Sequence, residues 1–127
     1  MLGLTRRTRV FVYAKPVDLR KSFHTLSEVV RAEMGSDPLS GDVYLFVNRR
    51  CTLAKCLSFD GTGLCIFMKR ISEGRFAAPW SRAADEVITM TASELALFIE
   101  GSKLAFIAPL SPAAISPKSV VTRSLSV

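Results

Sequence analysis

The sequence predicts an α+β fold: an antiparallel β-meander sheet of four to six strands, with one long helix packed on it and a second, shorter helix. Three observations predict it. Apolar residues recur at helical spacing between 18 and 34, residues 42–79 switch to short apolar runs parted by turn residues, and Thr91 with Glu94 forms a helix-start signature. At 127 residues, 49% of them hydrophobic and 22% charged, the chain is long enough to bury a core. One domain is expected over 1–101, followed by a proline- and serine-containing tail over 102–127.

Each element has its own reason. Arg9–Ala14 alternates around Val10, Val12 and Ala14 and reads as a strand that Pro16 ends. Asp18 then suits the N-cap of a helix reaching about Met34, with Leu19, Phe23, Leu26, Val30 and Met34 as its apolar stripe. Gly35 stops this helix, and residues 36–41 are a loop of turn formers. Val43–Val47, Leu53–Phe59, Leu64–Ile71 and a short Arg75–Ala78 follow as strands, with turns at Asp60–Gly63 and Ser72–Gly74. Connections this short force neighbouring strands to run antiparallel. Val87–Met90 can add a strand before a second helix, Ala92–Gly101. The tail, interrupted by Pro109, Pro112 and Pro117, could supply an edge strand near Leu104–Ile107.

Catalytic chemistry finds little support. His24, the one histidine, falls beside the apolar stripe and reads as a surface residue. Cys51, Cys56 and Cys65, at spacings of five and nine, match neither zinc-ligand pairs nor a disulfide framework. Asp18, Asp60 and Glu73 are explained as cap and turn residues. The Asp60–Gly63 loop joins two strands and precedes no helix, so it is no phosphate cradle. No catalytic residue, metal or cofactor is expected. No apolar run approaches the roughly 18–20 residues of a membrane span. The basic start, Met1–Arg9, leads into no secretion signal, and a cytoplasmic location with no membrane partner is the expectation.

Charge carries more information. Residues 1–82 hold 14 Lys/Arg against 7 Asp/Glu, a net of +7, whereas residues 83–127 hold 3 against 4, a net of −1. A positive field over the first two-thirds concentrates polyanions, nucleic acid foremost. Arg20 and Lys21 are placed in the first turn of the long helix, where unpaired backbone N–H groups already attract anions. Asn48, Arg49 and Arg50 begin a hairpin connection, with Lys55 on the next strand. Lys69 and Arg70 end the third strand of the meander, and Arg75 opens the fourth, close enough for Lys69 and Arg75 to share one end of the sheet. These nine are the candidate DNA-binding residues. The competing reading makes them ordinary surface charges, with Arg20 bridging to a nearby carboxylate. Phe67, Phe76 and Trp80 lie among the cations and either fill the core or stack on unpaired bases.

Five segments together are familiar. They are Val17-Asp18-Leu19-Arg20-Lys21-Ser22-Phe23 with Leu26; Asp37-Pro38-Leu39-Ser40-Gly41; Phe46-Val47-Asn48-Arg49-Arg50 with Lys55; Asp60-Gly61-Thr62-Gly63-Leu64; and Lys69-Arg70-Ile71-Ser72-Glu73-Gly74-Arg75-Phe76 through Pro79. In this order and spacing the chain resembles, over residues 3–101, the TnpB accessory proteins of the insertion-sequence family numbered sixty-six. These differ from the RNA-guided nucleases that share the TnpB name. The family usually has glycine where Ser22 stands, an acidic residue at His24 and an Arg-Asp-Arg run at Cys51-Thr52-Leu53. The resemblance implies a non-catalytic protein that acts beside a separate transposase. Joined to the charge pattern, it leads to an expected role in DNA transposition, through phosphate-directed DNA binding or assembly of the transposition complex. The alternative is an adaptor that docks the transposase, or another protein of the same element, without touching DNA.

Overall fold

A computed structural model of the chain describes residues 4–20, 22–81 and 87–102. In chain order these form β1 (Val10–Val12), α1 (Phe23–Ala32), β2 (Val43–Val47), β3 (Leu53–Phe59), β4 (Leu64–Arg70), a 3-10 turn at Pro79–Ser81, β5 (Ile88–Met90) and α2 (Ala92–Ile99). The five strands make one sheet in the order β4-β3-β2-β1-β5.

The α+β class stands, but the sheet is mixed rather than purely antiparallel. β2, β3 and β4 form the expected meander, with Phe46 beside Lys55 and Lys55 beside Met68. β1, however, pairs in parallel with β2, Val10 lying beside Val43 and Val12 beside Leu45. The cause is the connection between them. Thirty residues containing α1 separate β1 from β2, long enough for a crossover, and short connections alone force reversal. β5 then adds antiparallel to β1, as Val10 meets Met90.

Both faces of the sheet are covered, so all five residues of β2 are buried. On one face Leu26 and Val30 of α1, with Leu19 and Met34, pack over Tyr44, Phe46, Leu53 and Leu57. On the other, Leu95, Phe98 and Ile99 of α2 join Phe76 and Ala77 over Val10, Val12, Leu45 and Cys56. A fully buried side chain of this size contributes roughly 1.5–3 kcal/mol, which outweighs the weak intrinsic stability of helices only ten and eight residues long.

Two segments depart from the sequence expectation. The first helix is ten residues, not a long one, and Asp18 does not cap it; Ser22 is the N-cap. Asp18 is occupied elsewhere, accepting the Arg20 backbone N–H at 3.1 Å and the Arg20 guanidinium at 2.7 Å. This side-chain turn holds residues 18–20 out of the helix. Arg75–Ala78 is no strand. Phe76 donates its N–H to the Cys51 carbonyl at 2.7 Å, while its ring and Ala77 enter the α2-side core. The second helix keeps its predicted capping box, Thr91 Oγ1 accepting the Glu94 N–H at 3.1 Å and Glu94 accepting the Thr91 N–H at 2.7 Å. The edge strand expected near Leu104–Ile107 lies outside the described residues.

Polar groups lock the start of the parallel pair. Arg9 places its guanidinium in a fork on Asp42, at 3.0 and 2.9 Å. The Ser40 hydroxyl lies 2.9 Å from both the Asp42 carboxylate and the Tyr44 hydroxyl, and Tyr44 donates to the Asp37 carbonyl at 3.1 Å. The Asp37–Gly41 motif is thereby architectural: it fastens the beginning of β2 to the residue before β1.

The β3–β4 turn carries a testable charge effect. Asp60 Oδ1 accepts the N–H groups of Thr62 and Gly63, both at 2.9 Å, and the Thr62 hydroxyl at 3.1 Å. Gly61 takes the left-handed backbone (φ 104°) that this tight turn requires. The backbone bonds hold the Asp60 carboxyl down at about 2, below its ordinary 3.8. A depressed carboxyl stabilises the fold above its unfolded value and loses that contribution as pH falls through the folded one. Stability should therefore drop between about pH 4 and pH 2. Asp60→Asn should flatten that acid limb in urea melts followed across the range, and an unchanged limb would refute the assignment.

Candidate nucleic-acid interface

The cleft is assembled at the carboxyl ends of β1 and β2. After β1 the chain continues extended, Tyr13 donating to the Leu45 carbonyl and Val17 to the Val47 carbonyl, both at 3.0 Å. That pairing carries Pro16–Arg20 to the end of β2, beside the β2–β3 connection. There Cys51 N–H bonds the Asn48 carbonyl at 3.0 Å, so Arg49 and Arg50 occupy the two corners of a tight turn. β3 and β4 complete the wall, because Leu53 and Arg70 are register partners. A cleft of about 440 Å³ results. Among the described residues, Pro16, Val17, Leu19 and Leu53 supply its apolar lining, Arg20, Arg49, Arg50 and Arg70 its cations and Asp18 an anion. Ligand crevices of α/β sheets form at this end of the strands.

The cations differ in availability. Arg20 is exposed but held by Asp18 at 2.7 Å, the bridging alternative anticipated from sequence. It sits two residues before the N-cap, not in the first turn of the helix, so it reinforces no helix terminus. Arg49, Arg50 and Arg70 are exposed, and among the described residues none of them has an ion-pair partner. Asn48 is spent on the loop itself. Its Oδ1 accepts the N–H groups of Thr52 (2.9 Å) and Leu53 (3.0 Å), and its Nδ2 donates to Thr52 Oγ1 at 3.1 Å. These bonds stabilise Cys51 in the left-handed region (φ 59°), which disfavours side chains bearing a Cβ.

The other candidates are dispersed. Lys55 is only 8% exposed, on the α1-side face between Phe46 and Met68. Lys69 lies on the opposite face and donates from Nζ to the Ile99 carbonyl at 2.8 Å, near the end of α2. A cation is favourable at a helix C-terminus, which gives Lys69 a structural task. Arg75 is exposed next to buried Phe76, and Lys21 lies outside the described residues. Phe67 and Trp80 are half-buried against the α2-side core, so neither ring lines the cleft.

Among the described residues no three His, Cys, Asp or Glu side chains are grouped to hold a metal ion, and no helix is long and apolar enough to cross a membrane. Cys51, Cys56 and Cys65 carry no disulfide, and burial pushes the Cys56 thiol up to about 12.

Two cores around one mixed sheet, with arginines gathered at the carboxyl ends of its parallel strands, define a small basic α+β protein with an arginine-lined cleft. The family model described as IS66 Orf2 like protein matches residues 8–108, and the chain belongs to this family of transposition-associated insertion-sequence accessory proteins. Two curated relatives, the uncharacterized proteins y4jC and y4hO of Sinorhizobium fredii, are each 31% identical over 101 residues. The match spans 80% of this chain and 85% and 86% of theirs. No solved structure matches the chain.

Proposed function

We propose that this protein supports transposition without catalysing it, by holding DNA through backbone phosphates at the arginine cleft. One observation carries the reading: Arg20, Arg49, Arg50 and Arg70, spread over fifty residues of sequence, converge on one cleft where, among the described residues, Asp18 is the one carboxylate. Planar, permanently charged guanidiniums suit phosphate oxygens, and such contacts position a protein on DNA without selecting sequence. Lys69, bonded to α2, and Lys55, withdrawn from the surface, have smaller parts in this reading than the sequence suggested. The partners are DNA and, in the assembly of the complex, the transposase or another protein of the same element.

Duplex binding measured over a salt series tests this. Each phosphate contact adds about 0.9 to the slope of log affinity against log salt, so Arg49→Ala/Arg50→Ala/Arg70→Ala should lower the slope by about 3 at most. A wild-type affinity indifferent to salt would end the phosphate reading. Association with transposase that survives nuclease treatment would then favour the adaptor role.

A further inference from the structure

The arginine cleft has a shape that duplex phosphates do not require. Phosphate contacts need only donors such as Arg and Lys and ask for no apolar lining. Here the cations rim a recess of about 440 Å³ lined by Val17, Leu19 and Leu53. That volume lies within the roughly 300–1,000 Å³ of pockets that enclose small molecules. Apolar lining under a cationic rim matches an object with a flat apolar face and an anionic edge, which describes one unpaired nucleotide.

The rim supports the same occupant. Among the described residues no aromatic ring lines the recess, since Phe67 and Trp80 pack on the opposite face. Arginine can take over that role, because its guanidinium plane stacks on bases while its N–H groups reach phosphate oxygens. Arg49 and Arg50 extend from the corners of a turn whose backbone Asn48 has fixed, and Arg70 stands on a strand beside Leu53. The stacking groups therefore stand on a braced frame.

We infer that the cleft takes an unpaired nucleotide, its base over Pro16 and Val17 beside the arginine guanidiniums and its phosphates on the rim, so that the protein prefers single-stranded or locally unpaired DNA to intact duplex. This rests on the DNA-binding reading above and sharpens its substrate class. Charge alone predicts the reverse order. Duplex DNA carries a charge for about every 1.7 Å of its axis and binds cations more strongly than a single strand does.

The test compares a labelled single strand, the blunt duplex of the same sequence and that duplex with one unpaired nucleotide, by fluorescence anisotropy at matched salt. The intact chain should bind the single strand and the interrupted duplex about tenfold more tightly than the blunt duplex. In the variant Arg49→Lys/Arg50→Lys/Arg70→Lys, charge is kept and the stacking plane is lost. The ratio of single-strand to blunt-duplex affinity should therefore fall to about one, whatever loss of phosphate contact both probes share. Equal affinity for all three probes, or a preference that persists in the lysine variant, overturns the inference and leaves phosphate binding standing. Failure of every probe to bind overturns both.

Discussion

Phe98→Ala should cost about 3–5 kcal/mol of folding free energy, the range for deleting a large aromatic from a packed core. Phe98 is fully buried, and its ring stacks on that of Phe76 with centroids 4.9 Å apart and planes 17° from parallel. The pair joins two segments that the sheet ladder leaves unattached: α2, and the irregular chain after β4. α2 has eight residues, too few to persist alone. Its attachment depends on Leu95, Phe98 and Ile99 entering the core beneath it. Against a typical total of about 5–15 kcal/mol, this loss removes a large share of the stability. Trp80, the one tryptophan, is half-buried against the same core, so its fluorescence reports the transition in a urea melt. Phe98→Leu should cost less, because it leaves a smaller cavity. If the alanine variant lost under about 1 kcal/mol, α2 would not be anchored as described.

Asn48→Ala should be the most damaging single change near the cleft, at about 2–3 kcal/mol from three lost hydrogen bonds. The N–H groups of Thr52 and Leu53 lose their side-chain acceptor, and Cys51 must keep its left-handed backbone with less support. In the proposed function the variant also weakens DNA binding without removing a charge, because Arg49 and Arg50 leave their fixed corners. Asn48→Asp separates the two effects. It retains an acceptor for both N–H groups, so the thermal midpoint should fall less than in the alanine variant. It also sets a second carboxylate beside Asp18, so DNA affinity should fall below the parent's most at low salt, and the deficit should narrow as salt screens the cleft. An aspartate variant that binds DNA as the parent does would argue that the cleft does not contact the phosphates.

Much of the fold was legible because the signals are local. β2 and β3 run as predicted, Val43–Val47 and Leu53–Phe59, since each is an apolar run closed by turn residues. The capping box before α2 is a contact within four residues, and it formed as read. The helix start was misplaced because Asp18 can serve two local structures, an N-cap or a turn closed on Arg20, and the second won. Arg75–Ala78 alternates like a strand, but Phe76 and Ala77 find their partners in the α2-side core instead. The burial of Lys55 did have a sequence signal: it stands two residues from both Leu53 and Leu57, and strand alternation puts all three on one face. The role of Lys69 had none, because its partner carbonyl at Ile99 lies thirty residues away.

From residues alone came the family motifs, the β2, β3 and β4 segments and the basic excess over residues 1–82. Tertiary structure decided which cations meet. Parallel pairing of β1 with β2 brings Pro16–Arg20 to the Asn48–Arg50 turn, and β4 adds Arg70 at the same end of the sheet. The physical reason is that this pairing is set by covering both sheet faces at once, α1 on one and α2 on the other. Burial of that kind sums over the whole chain and has no local signature.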